Sequence, residues 1–249
     1  MTENEIRNAV DAYRKLHGHT DIRAALIDMD GTLYDSMPRH ARAWHRLATE
    51  LGIEATEDEF FQYEGMTGAA TLDVLFMRAR GRHITPDEAR EYYARKTRYF
   101  TEQPGTAPIM PGAPAMLASL QHSGIQPVLV TGSGQATLLE RLEHDFPGVF
   151  RADMMVTSHN VTHGKPHPEP YLRGMAMAGV EPSQAIAVEN APLGVQSAAR
   201  AGAFTVAVST GPIPKHMLAD AGADIVFDSM PRCAEHMPEL LRQLRQDKN

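Results

Sequence analysis

Asp28 and Asp30 stand two residues apart in Asp28-Met29-Asp30-Gly31-Thr32, directly after the apolar run 22–27. A buried strand that ends in two acids is costly unless those acids meet a metal or other cations. Paired carboxylates suit phosphoryl transfer through a covalent intermediate, which needs a nucleophile and a nearby acid/base. Gly31 permits the turn that brings both acids to one phosphate.

Three further clusters carry matching chemistry. Thr131-Gly132-Ser133 follows the apolar run 125–130 and offers hydroxyls and bare backbone N–H groups to phosphoryl oxygens; Ser133 alone would otherwise read as a helix cap. Lys165, in Gly164-Lys165-Pro166, is a point charge in a proline-rich loop that can shield a carboxylate nucleophile and offset phosphate charge. His163 and His167 flank it. Two nearby histidines suggest a metal site, but the acids supply a harder oxygen set, so we read both as ordinary loop residues. Glu189-Asn190-Ala191-Pro192-Leu193-Gly194 follows the run 185–188.

These residues need elements to position them. Strand-length apolar runs recur at 22–27, 125–130, 154–157, 185–188, 204–208 and 224–227. Helical patterns separate the later runs, at 113–123, 136–145, 168–178, 192–201 and 214–221. Several open on proline and stop at glycine, the asymmetry of helix caps. The alternation predicts an α/β fold with a Rossmann-like parallel sheet covered on both faces. Ligands of such sheets bind beyond the carboxyl ends of the strands, where the paired acids stand. Residues 37–104 break the rhythm with about four helices, at 38–51, 56–61, 70–80 and 86–101. We therefore expect a core of residues 20–36 and 105–249, an inserted helical cap at 37–104, and an N-terminal extension at 1–19, in which 1–17 reads as an amphipathic helix packed on the body, with a partner-binding arm as the alternative.

In their order and their places at strand ends, the four motifs resemble those of the haloacid dehalogenase superfamily, in the β-phosphoglucomutase-like branch with a helical cap. The resemblance covers nearly all of the chain after about residue 20. It implies that Asp28 attacks phosphorus. Asp30 would protonate the leaving group, then activate water, and its backbone carbonyl would join Asp28 in holding Mg²⁺. Thr131, with Gly132 and Ser133, would hold phosphoryl oxygens, and Lys165 would stand beside the nucleophile. The family ends its fourth motif with paired acids, whereas this chain has Glu189 followed by Asn190. An amide oxygen can ligate Mg²⁺ but brings no charge. Glu64, in Tyr63-Glu64-Gly65-Met66-Thr67-Gly68, is the candidate replacement, arriving from the cap when the lid closes; otherwise it is a solvated loop acid. The expected metal set is thus Asp28, Asp30, Asn190, Glu64 and Glu189.

That pairing of cap loop and fourth motif resembles a subgroup that hydrolyses inorganic pyrophosphate. His40 and Trp44 match a histidine and tryptophan on the first cap helix of the mutases, and Lys96 matches a cap lysine. Gly68 replaces the arginine that clamps a distal phosphate in those enzymes. His40 either packs on Trp44 or steers Asp30 and the leaving group. Lys96 either binds a leaving phosphate or is solvated on its helix. The expected function is a Mg²⁺-dependent phosphohydrolase acting on a small phosphorylated substrate, pyrophosphate first. A sugar-phosphate mutase or phosphatase, or a non-catalytic phosphate-binding protein, are the alternatives.

Composition bounds the rest. The 249 residues carry a formal net charge of −7, which argues against nucleic acid as a partner. Residues 1–21 are rich in charge, which excludes an ordinary signal peptide, and no segment is apolar enough to span a membrane. Cys233 is the single cysteine, so no intrachain disulfide forms and a reducing, cytoplasmic setting is expected. No surface helix is apolar enough to require a dimer, so we expect a monomer.

Overall fold

A computed structural model describes residues 2–134 and 138–245. It opens on helix α1 (Glu3–His17), whose Thr2 and Glu5 form a reciprocal capping box. Its apolar stripe, Ile6, Val10 and Tyr13, is buried, and the Tyr13 hydroxyl donates to Gly202 O at 2.6 Å. The N-terminal segment is thus built into the body, as its amphipathic pattern implies.

Strand β1 (Ala24–Ile27) leads into four consecutive helices: α2 (Met37–Glu50), α3 (Glu57–Gln62), α4 (Gly68–Arg80) and α5 (Pro86–Thr101). They bury a cluster of their own around Trp44, Leu47, Phe60, Leu72 and Phe76. The chain then alternates through α6 (Ala113–His122), β2 (Gln126–Val130), α7 (Leu138–Asp145), β3 (Met155–Val156), α8 (Glu169–Ala178), β4 (Ala185–Glu189), α9 (Pro192–Arg200), β5 (Phe204–Val208), α10 (Lys215–Asp220), β6 (Ile225–Phe227) and α11 (Met230–Arg245). Residues 136 and 137 of the helix expected at 136–145 lie outside the described residues. So do Met1, at the start of the N-terminal extension, and residues 246–249, at the end of the expected core.

The six strands form one sheet in the order β3-β2-β1-β4-β5-β6, and every pair is parallel. The strands alternate between two cores. Ala25, Ile27, Ile186 and Val188 face a cluster shared with α1, α6 and α11. Leu26, Ala185 and Ala187 face the opposite cluster with Tyr171, Met175 and Ala198. Both faces are therefore covered, as buried parallel strands require.

One long element departs from expectation. Helix α11 carries Met230, Cys233, Met237, Leu240, Leu241 and Leu244 into the core, yet no helix was expected there. Pro231 falls in its first turn and Pro238 in its interior, and the latter reads as a break in sequence. Burial of the apolar stripe outweighs the lost hydrogen bond. No helix among the described residues is long and apolar enough to cross a membrane.

Because Ile6 is fully buried, Ile6→Ala is expected to lower unfolding free energy by about 2–5 kcal/mol, the range for a large core deletion. Urea unfolding checks this. A change under 0.5 kcal/mol, roughly the surface range, would show that α1 merely rests on the body.

Candidate active site

Strand register sets the site. Ile27 pairs with Leu129 on one side and Val188 on the other, so the carboxyl ends of β1, β2 and β4 stand level. The chain leaves β1 for β2 on one side, while β4 lies on the other, which opens a crevice at this switch in strand order. Asp28 follows β1, Thr131 follows β2 and Glu189 ends β4. The Asp28–Thr32 turn is held by Gly31 N–H donating to Tyr34 O at 2.7 Å and Leu33 N–H to Met29 O at 2.9 Å. Gly31 has φ 81, and a Cβ there would overlap the Asn190 amide and the Glu64 carboxylate.

Lys165 is the hub. Its Nζ lies 2.5 Å from Asp28 Oδ1, 2.5 Å from Glu189 Oε1 and 3.1 Å from Val130 O. All three side chains are buried. Tyr171 donates to Glu189 Oε1 at 2.6 Å, and Glu189 Oε2 accepts the Asn190 N–H at 3.0 Å. Both Glu189 oxygens are thereby engaged, so this residue acts on the site through Lys165. Burial opposes charge on Lys165, but Asp28 and Glu189 outweigh it and raise the ammonium. Burial raises the Asp28 carboxyl, with Lys165 opposing. The short contacts fit an ammonium bridging two carboxylates. Asp28 Oδ2 is buried and has no hydrogen-bond partner among the described residues.

Asp30 has a separate set of partners. Ser36 Oγ donates to its Oδ1 at 2.6 Å, and His40 Nε2 lies 3.2 Å from the same oxygen. Lys96 Nζ lies 2.5 Å from His40 Nδ1, which makes Nδ1 the acceptor and Nε2 the donor toward Asp30. Lys96 is buried, 5.0 Å from the Trp44 ring centroid. Burial alone would raise the Asp30 carboxyl; His40, Ser36 and Lys96 outweigh it and hold it at about 2. Burial drives Lys96 down to about 7. Burial and Lys96 lower His40.

The loop between α3 and α4 sits directly on these strand ends. A Cβ on Gly132 would lie 2.9 Å from Gly65 O and Met66 O, and one on Gly164 would lie 2.7 Å from Thr67 Cγ2. Glu64 is buried, and its Oε1 accepts from Asn190 Nδ2 at 2.8 Å. Thr32 Oγ1 donates to Asn190 Oδ1 at 3.2 Å. Burial raises the Glu64 carboxyl well above its ordinary value; the Asn190 contact opposes this, and Asp28, Glu189 and Asp30 reinforce it. Beneath the loop is a cavity of about 60 Å³ lined by Asp28, Asp30, His40, Glu64, Lys96 and Ser133 among others. The Tyr93 ring forms part of its wall and lies so close over Gly68 that a Cβ there would overlap it.

These donors fit a divalent cation. The oxygens are hard, Asp28 Oδ2 is buried without a partner among the described residues, and Asp28, Glu189 and Asp30 add to the burial that disfavours a charged Glu64.

The structure brings the sequence-derived residues together. Asp28, Asp30, His40, Glu64, Lys96, Gly132 and Ser133 line the cavity. Thr131 stands behind, its hydroxyl oxygen accepting the Ser133 N–H at 3.0 Å, while Ser133 Oγ is buried without a partner among the described residues. Lys96 is an inward residue, not a solvated one. Ser36, Tyr93 and Tyr171 went unrecognised in the sequence. Ser36 lay beside a proline hinge, and the tyrosines sit in helices with no motif around them.

Comparison with known proteins places this geometry. The haloacid dehalogenase-like hydrolase family matches residues 22–202. The chain belongs to that family. Among curated relatives, hexitol phosphatase A of Escherichia coli is 34% identical over 184 residues, covering 74% of this chain and 82% of that protein. The β-phosphoglucomutase of Bacillus subtilis is 28% identical, covering 82% and 88%. Among solved structures, one from Bacteroides vulgatus, named provisionally as a β-phosphoglucomutase, superposes with a TM-score of 0.94 at 41% identity, covering 98% of this chain and all of that one. In this chain the helices inserted after the first strand place the α3–α4 loop over the carboxyl ends of the sheet.

The buried lysine gives a pH signature. Lys96 titrates near 7 when folded and near 10.5 when unfolded. Between those values the unfolded chain binds more protons, so this residue makes stability rise with pH across that window. Lys96→Met should flatten that rise, read as the urea midpoint at pH 7 to 10. An unchanged slope would show that Lys96 is solvated in the folded protein.

Proposed function

We propose that this chain is a Mg²⁺-dependent phosphohydrolase that works through an aspartyl-phosphate on Asp28, with inorganic pyrophosphate as first candidate substrate. The observation that carries this reading is the asymmetry of Asp28. One oxygen is held by Lys165, and the other is buried without a partner among the described residues, in a side chain that lines the small cavity beneath the Glu64 loop. Asp28 Oδ2 attacks phosphorus as the bond to the leaving oxygen breaks. The leaving oxygen takes a proton that passes from Lys96 through His40 and Asp30, which leaves Asp30 ionised again. Asp30 then takes a proton from the water that attacks the aspartyl-phosphate, and phosphate departs with Asp28 restored. Ser133 Oγ and the Gly132 backbone face the phosphoryl oxygens. Asp28, the Asp30 carbonyl, Glu64 and Asn190 would hold Mg²⁺, which supplies charge neutralisation of the phosphoryl group.

Two features support pyrophosphate. Asp30 is held strongly ionised, which suits a leaving group that is itself a weak base. Inorganic phosphate is a far weaker base than a sugar alkoxide. Tyr93 over Gly68 also fills the space in which a clamp for a second, distant phosphate would stand. A sugar-phosphate phosphatase is the second reading, favoured by the resemblance to hexitol phosphatase A.

A panel of pyrophosphate, hexitol phosphates and hexose phosphates, with and without Mg²⁺, separates the two. Pyrophosphate should give the highest kcat/KM, and Asp28→Asn should abolish release from every substrate. Faster turnover of a sugar phosphate would hand the site to the second reading, and activity retained in Asp28→Asn would remove the covalent route. Glu64→Ala should raise the Mg²⁺ concentration for half-maximal rate by at least roughly tenfold, since even outer-shell partners cost that much. An unchanged Mg²⁺ dependence would remove Glu64 from the metal set.

A further inference from the structure

The loop that carries Lys165 has a second cluster on its outer side. Potential donor atoms of His163, His167 and Glu169 all lie within 4.8 Å of one another. The two imidazole rings stand 4.7 Å apart between centroids at 34°, and His163 Nδ1 lies 3.2 Å from Glu169 Oε2. The carboxylate is set firmly in place. Its Oε1 accepts from Thr162 N–H at 2.8 Å and from Arg173 Nε at 2.9 Å, and its Oε2 accepts from His163 N–H at 2.9 Å. His167 Nδ1 receives the Glu169 N–H at 3.2 Å, a contact that binding through that nitrogen would release to water.

Two imidazoles and one carboxylate form the donor set of a borderline divalent transition ion, with a fourth position left to solvent. It contrasts with the all-oxygen set around Asp28, which suits a hard cation. The two ligand sets therefore select different metals, and Mg²⁺ in one does not compete for the other. We propose that His163, His167 and Glu169 bind a zinc-class divalent ion on the loop that presents Lys165. An ion there takes the place of the His163 ring contact with Glu169. It joins positions 163 and 167, on either side of Lys165, to the first residue of α8. That cross-link braces the loop whose lysine holds Asp28 and Glu189. The Arg173 guanidinium stays on Oε1, so the ion takes Oε2.

The test is a calorimetric titration of Zn²⁺ into the full chain in saturating Mg²⁺, with Co²⁺ absorption as a report on the ligands. The wild type should bind one equivalent. The double variant His163→Gln/His167→Gln should bind at least roughly tenfold more weakly, given what even outer-shell changes cost. It should retain Mg²⁺-dependent turnover and its metal-free melting temperature, which shows that it folds. Asp28→Asn should bind Zn²⁺ as the wild type does. Zn²⁺ should raise the melting temperature of the wild type and of Asp28→Asn, but not of the double variant. Equal Zn²⁺ affinity in the double variant and the wild type would overturn the proposal. So would loss of binding in Asp28→Asn alone, which assigns the ion to the catalytic acids. Neither outcome bears on the phosphohydrolase reading, which the substrate panel decides separately.

Discussion

A single ammonium held between two buried carboxylates organises this protein. Lys165 reaches Asp28 and Glu189 where water is excluded, and ions so placed are tolerable only with close partners and further hydrogen bonds. Tyr171 and the backbone N–H groups of Asn190 and Ala191 satisfy the rest of Glu189. The arrangement requires three strand ends at one level and a loop that brings the lysine back over them. Sheet register provides the first, and the segment before α8 provides the second. It also polarises Asp28, because only one of its oxygens remains available.

The helical insertion adds a second charge problem. Glu64 descends toward a site that already holds Asp28, Asp30 and Glu189. Asn190 makes this approach tolerable. Its amide donates to Glu64, whereas a carboxylate at that position would repel it. The amide at the strand end and the acid on the cap loop are therefore complementary in this chain. Gly31 is part of the same arrangement, since any side chain there would occupy the space of the Glu64–Asn190 contact.

The relatives show why the core does not identify a substrate. Proteins named as hexitol phosphatase and as β-phosphoglucomutase match this chain across most of its length. A shared fold supports several reactions, and the distinction lies in what reaches the phosphate from above. Here those groups are Glu64, the His40–Lys96 pair and Tyr93, all contributed by the insertion.

Local pattern was enough to read much of this molecule. Alternating apolar runs and proline–glycine boundaries located the strands and most helices, because burial and capping leave marks on adjacent residues. The paired acids, Lys165, Asn190 and even Glu64 were legible because short motifs at strand ends and glycine-flanked loops mark chemistry. Helix α11 was not, since it carries a proline in its interior and its apolar stripe is buried only by packing against α6 and α1. Tertiary structure alone decided that Lys96 points inward and that Tyr93 covers Gly68. It also assigned Tyr171 to Glu189. Each of these depends on where separate elements meet in space. Spacing along the chain determines which residues share a turn or a face, but not which distant side chain fills the volume opposite.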